Sequence, residues 1–115
     1  MLNCLVTDYL NIIFTLNAQK MRVLVRVIFS NEAGNRVVKD PDFIKNTQAF
    51  IDNYKAEAAF FTPSNGDRSA NFIIDMPSSD MMPTIAEPFF HMGGRVEMQP
   101  VMNFEELKKG LSAAR

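Results

Sequence analysis

Apolar and polar residues alternate through MRVLVRVIFS, Met21 to Ser30, placing Val23, Val25, Val27 and Phe29 on one side and Arg22, Leu24, Arg26 and Ile28 on the other. Period-two alternation rich in β-branched residues predicts a strand. Asn31 to Lys39 mixes polar residues around Gly34 and reads as a loop or a loose helical turn. Asp40 and Pro41 then supply an N-cap and a first-turn proline. The helix they open should bury Phe43, Thr47, Phe50, Ile51 and Tyr54, which recur at helical spacing, and leave Lys45, Gln48 and Asp52 wet. Two short extended runs follow, Glu57 to Thr62 and Ser69 to Met76, separated by Pro63 to Asp67. Asn65 with Gly66 is a strong hairpin signal, so these runs should pair antiparallel.

Ser78 or Ser79 is expected to cap a second helix running to about Glu87, before Pro88 disturbs it and Gly93 with Gly94 ends it. Arg95 to Met102 reads as a fourth strand. Asn103, followed three residues later by Glu106, approximates a capping box for a final helix carrying Phe104, Leu107 and Leu111. The order strand, helix, strand, strand, helix, strand makes an α+β protein of ferredoxin-like βαββαβ type, a four-stranded antiparallel sheet with its helices on one face. Right-handed crossovers place the first strand between the third and the fourth.

The helices should cover the more apolar set, namely Val23, Val25, Val27 and Phe29, with Phe72, Ile74 and Met76, and with Val96, Met98 and Pro100. The other face then mixes Arg22, Leu24, Arg26 and Ile28 with Asn71, Ile73 and Asp75 and with Arg95, Glu97 and Gln99, and Phe61 is assigned to it. A solvated face rarely keeps so many apolar residues, and a dry core does not accept two arginines and two carboxylates. Such a face suits a dimer interface enclosing a pocket.

With 115 residues, ten of them Phe and 47% hydrophobic, the chain has enough apolar content for one ordered domain, and its size leaves room for a homodimer to add burial. Acidic and basic residues are interspersed at a net charge of -1, without the basic stripe that neutralises phosphates, so nucleic acid is not an expected partner. Cys4 is the only cysteine, which rules out an internal disulfide or a multi-cysteine zinc site and fits a reducing, cytoplasmic setting. Residues 1–20 are apolar but interrupted by Asn3, Asp8 and Asn11, with the first Lys at Lys20. They match neither an export signal nor a membrane span. They are expected to be an N-terminal extension or a misassigned start, so that the domain is 21–115 and a chain beginning at Met21 keeps its fold.

The strand order, the run AEPFF at Ala86 to Phe90 and the closing stretch RVEMQPVMNFEELKKGL together resemble the dimeric α+β barrel superfamily, and within it the small members of unknown function. The resemblance covers about Met21 to Leu111. It implies two ferredoxin-like sheets packed face to face, often around a ligand pocket. The superfamily includes cofactor-independent monooxygenases, muconolactone isomerase, haem-dependent peroxidases and chlorite dismutases, and proteins without known activity, so fold alone does not select a chemistry.

Arg26 with Asp75 and Glu97 is the sharpest constellation for chemistry, since a guanidinium flanked by carboxylates can grip an acidic or carbonyl ligand, or else form a charge network between subunits. Asn71 and Gln99 are candidates to orient a bound carbonyl or hydroxyl. Tyr54 could do the same, but its place on the helix stripe favours packing. His91 is the only histidine, hence the default catalytic acid or base, although its place after Pro88 favours capping or solvent. The methionines read as packing rather than copper ligands. No cofactor or metal is expected. The leading expectation is a non-enzymatic homodimer that binds a small apolar or carboxylate-bearing molecule. The alternative is a cofactor-independent monooxygenase or isomerase acting on an aromatic or polyketide-like substrate.

Overall fold

The computed structural model describes residues 21–114, so Cys4 and the expected extension at 1–20 lie outside the described residues. The elements are β1 (Met21–Phe29), α1 (Asn31–Lys39), α2 (Phe43–Asn53), β2 (Ala58–Ser64), β3 (Asp67–Met76), a 3-10 turn at Ser79–Met81, α3 (Met82–His91), β4 (Gly94–Pro100) and α4 (Phe104–Ala113). The four strands form one antiparallel sheet in the order β2-β3-β1-β4, with β1 between β3 and β4 as the crossover rule requires. This is the α+β, ferredoxin-like arrangement.

The alternation in β1 fixes which face is covered. Val23, Val25, Val27 and Phe29 are buried with Phe72, Ile74 and Met76 of β3, and Ile85 and Phe89 of α3 join them in one core. Phe72 is the hub of its aromatic part: its ring lies 4.8 Å from that of Phe50, 5.9 Å from Phe61 and 6.0 Å from Phe89. These separations and tilts are the ones aromatic quadrupoles favour. The expected α2 stripe of Phe43, Thr47, Phe50, Ile51 and Tyr54 is half-buried, while Lys45, Gln48 and Asp52 are exposed.

Five expectations need correction. Asn31–Lys39 is a full helix rather than a loop or a loose helical turn: Ser30 Oγ accepts from the Ala33 N–H at 3.2 Å, and Ala33 and Val37, one turn apart, reach the core. Asp40 does not cap α2; its Oδ1 accepts from the Asp42 N–H at 2.9 Å, making a turn that delays the helix to Phe43. The hairpin is tighter than expected, because Asn65 (φ 52°) and Gly66 (φ 83°) form a two-residue turn and both strands run up to it. Ser78 makes no side-chain cap and Ser79 lies inside the 3-10 turn, and α3 continues past Pro88 to His91 because Ile85 and Phe89 lock one side of it into the core, offsetting the hydrogen bond that Pro88 cannot make. Gly93, at φ 85°, closes it. Finally, Phe61 pairs with Ala70 on the helix side, and Phe60, opposite Asn71, is the aromatic residue on the open face.

Candidate open-face site

The face of the sheet turned away from α1, α2 and α3 is built in rows by strand register. Ala58, Ile73, Leu24 and Gln99 make one row, and Phe60, Asn71, Arg26 and Glu97 make the next. A third contains Thr62, Ser69, Ile28 and Arg95. Neighbouring strands are about 4.8 Å apart, so each row spans about 14 Å, the scale of a small ligand. Leu24, Ile73 and Asn71 are half-buried, whereas Phe60 is 66% exposed, which leaves a large apolar ring beside a polar row.

All five expected ligand-binding residues lie on this face, but they do not form one cluster. Glu97 is the register neighbour of Arg26, whereas Asp75 lies opposite Arg22 and Gln99 opposite Leu24. Among the described residues Arg26 makes no ion pair with either carboxylate. Its Nη2 donates instead to Ser64 Oγ near the hairpin, and its Nε is covered without a partner among the described residues. Beneath it, Ser69 Oγ donates to the Thr62 carbonyl at 2.6 Å, and Asn71 Nδ2 donates to Ser69 Oγ at 3.3 Å. Ser64 and Ser69 are therefore part of the arginine's surroundings, which sequence reasoning missed; once the Asn65-Gly66 turn sets the register, parity puts both on this face.

His91 ends α3 on the opposite side of the sheet. Its side chain is 81% exposed, and its nearest carboxylate partner is Glu87, with Nε2 to Oε2 at 3.7 Å. The structure does not bring it together with Arg26. Tyr54 packs its ring 4.8 Å from Phe50, in keeping with a packing role. Met76 is buried and Met81, Met92 and Met98 pack on the core, but Met82 and Met102 are exposed.

The last helix belongs to the open side. Arg22 points to that face, and its Nε donates to Glu57 Oε2 at 3.1 Å while its Nη1 contacts Glu106 Oε1. Glu106 also completes a full capping box: its Oε1 accepts from the Asn103 N–H at 3.1 Å, and its N–H donates to Asn103 Oδ1 at 2.8 Å. So latched, α4 leaves Phe104 (68% exposed), Leu107 and Leu111 in an uncovered stripe, with none of its residues buried. An isolated helix of this length is marginal in water, so its apolar side calls for a cover.

The hydrogen bond from the Asn103 N–H and that from Arg22 hold the Glu106 carboxyl below its ordinary value of 4.5, and the hydrogen bonds that Arg22 donates to Glu106 and Glu57 raise the arginine above its own. A carboxyl lowered on folding stabilises the fold at every pH above its unfolded value, and that stabilisation is lost as pH falls through the lowered one. The start of α4 should thus survive mild acid. In an amide NMR titration, Asn103 and Glu106 should shift together with a midpoint below 4.5. A midpoint at or above that value would contradict the cap geometry.

Two grooves lie on the helix side of the sheet, one of about 670 Å³ between α2 and α3 and one of about 420 Å³ between α1, α2 and the hairpin end of β2 and β3. Among the described residues no group of three or more His, Cys, Asp or Glu is placed to hold a metal ion, and no helix is long and apolar enough to cross a membrane. Comparison with family models, curated proteins and solved structures returns no match to this chain.

Proposed function

We propose that this protein is a cytoplasmic homodimer of the dimeric α+β barrel type, in which the open faces of two sheets close on each other and the space between them binds a small apolar or carboxylate-bearing molecule. The observation that carries the reading is the composition of the open face: the exposed Phe60, the half-buried Leu24 and Ile73 and the buried Ile28 are interleaved with Arg22, Arg26 and Arg95 and with Asp75 and Glu97. Mixed signs on one face let a two-fold copy set unlike charges against each other, as an isologous interface requires. Helix α4 supports the same reading, because it is latched to the open side and a copy that covers the sheet is in position to cover its stripe as well.

Arg26 is the residue assigned to the ligand. Its Nε has no acceptor among the described residues, although Glu97 sits one strand away, so the guanidinium keeps donor capacity for a carboxylate or carbonyl held beside Phe60 and Asn71. The lone Cys4 is compatible with a reducing compartment.

The experiment is a thermal-shift titration with 2-naphthoate and its uncharged counterpart 2-naphthol. A ligand that binds only the native state raises the melting temperature by mass action. Naphthoate should stabilise the unaltered protein and should lose about tenfold or more in affinity on Arg26→Ala, the cost expected for a charged hydrogen bond, with the dimer intact. Dissociation of the Arg26→Ala protein, or unchanged naphthoate binding, would assign Arg26 to subunit contacts or to no ligand at all.

A further inference from the structure

We infer that the smaller groove on the helix side is a second binding site, for a medium-chain aliphatic monocarboxylate, with Arg68 as the head-group anchor and the trough formed by α1, α2 and β2 as the tail site. This inference does not rest on the dimer, since every residue in it comes from one chain. The groove, about 420 Å³, falls within the range of small-molecule sites. Its floor and walls are Phe29, Val37, Phe43, Phe61 and Ala70, and Ile44 stands at the rim 75% exposed. Among the described residues Arg68 is the one charged residue lining it.

Arg68 is exposed, and two features of α1 hold it across the groove. Gly34 is buried in the middle of α1, where glycine is a poor helix former. A Cβ at Gly34 would meet Arg68 Nη1 at 2.6 Å and Cδ at 3.2 Å, so the missing side chain is what allows the arginine to lie flat across the helix. Asn35 Oδ1, the next residue along, accepts from Nη1 at 3.1 Å and fixes the fork. Among the described residues no carboxylate pairs with Arg68, and a guanidinium carries five N–H donors. One positioned cation in an otherwise apolar trough is complementary to one anion on an apolar tail, which selects a monocarboxylate over a neutral lipid or a polyanion.

The test is titration of the full chain, below micelle-forming concentrations, with hexanoate, octanoate, decanoate and 1-decanol, read by calorimetry and by amide NMR. Affinity should rise about fourfold for each added methylene, the value that follows from burying one CH₂. Decanoate should shift the amides of Val37, Phe43 and Ala70 and should bind about tenfold tighter than decanol. Arg68→Gln should remove that preference while leaving decanol binding in place, and Gly34→Ala, which evicts the arginine, should do the same. If Gly34→Ala fails to fold, Arg68→Gln alone decides the matter. Equal binding of decanoate and decanol by the unaltered chain, unchanged decanoate affinity in Arg68→Gln, shifts confined to Leu24 and Ile73, or no binding of any acid would overturn the inference. Shifts at Leu24 and Ile73 would leave the open-face reading standing, whereas shifts at the groove alone would support this one.

Discussion

Phe72→Ala should lower stability by about 3–5 kcal/mol, the range for emptying a large aromatic site in a core. Phe72 is 1% exposed, and its ring contacts three others from α2, β2 and α3, so no single element can collapse into the space. A domain of this size has about 5–15 kcal/mol in total and loses about 4–8 °C of melting temperature per kcal/mol, which gives a fall of roughly 12–40 °C. Calorimetry checks it. A loss below about 1 kcal/mol would mean that the aromatic cluster is not the centre of the core.

The second large effect concerns subunit association. Leu24→Asp places a carboxylate between Ile73 and Gln99 in the middle of the face assigned to the interface. A charge buried there without a partner costs several kcal/mol, so the dimer dissociation constant should rise by a factor on the order of 10³. In the separated chain Leu24 lies on the uncovered side of the sheet, and the circular dichroism of the variant should be that of the unaltered fold. Sedimentation equilibrium of the variant should therefore report a folded monomer. A folded Leu24→Asp protein that remains dimeric would place the subunit contact elsewhere.

What could be read from the chain depended on how local the deciding physics is. The alternation in Met21–Phe29 and the Asn65-Gly66 turn each depend on a few adjacent residues, and with the crossover rule they yielded the strand order and the sidedness of Arg26, Asn71, Asp75, Glu97 and Gln99. Helix α1 was hidden because Gly34 argues for a loop by propensity, and its reason for being there is Arg68, thirty-four residues later. The signal that could have exposed α1 is Ser30 as N-cap with Ala33 and Val37 one turn apart. Phe61 was put on the wrong side because β2 is offset by the tight turn, and a one-residue slip in a strand moves each side chain to the other face. The site suffered similarly: sharing a face is a matter of parity, but whether Arg26 reaches Glu97 or Ser64 depends on side-chain geometry that spacing does not encode. The capping box at Asn103 and Glu106 was legible, whereas the latch from Glu106 to Arg22 joins residues too distant in sequence to be paired by eye.

The central claim is that a second copy covers the open face, and the most direct measurement is the mass of the full chain by sedimentation equilibrium across a hundredfold concentration range at neutral pH. The account predicts twice the chain mass through the upper part of that range, with dissociation toward single chains only on dilution. A single-chain mass at every concentration, from protein whose core is folded by calorimetry, would contradict it.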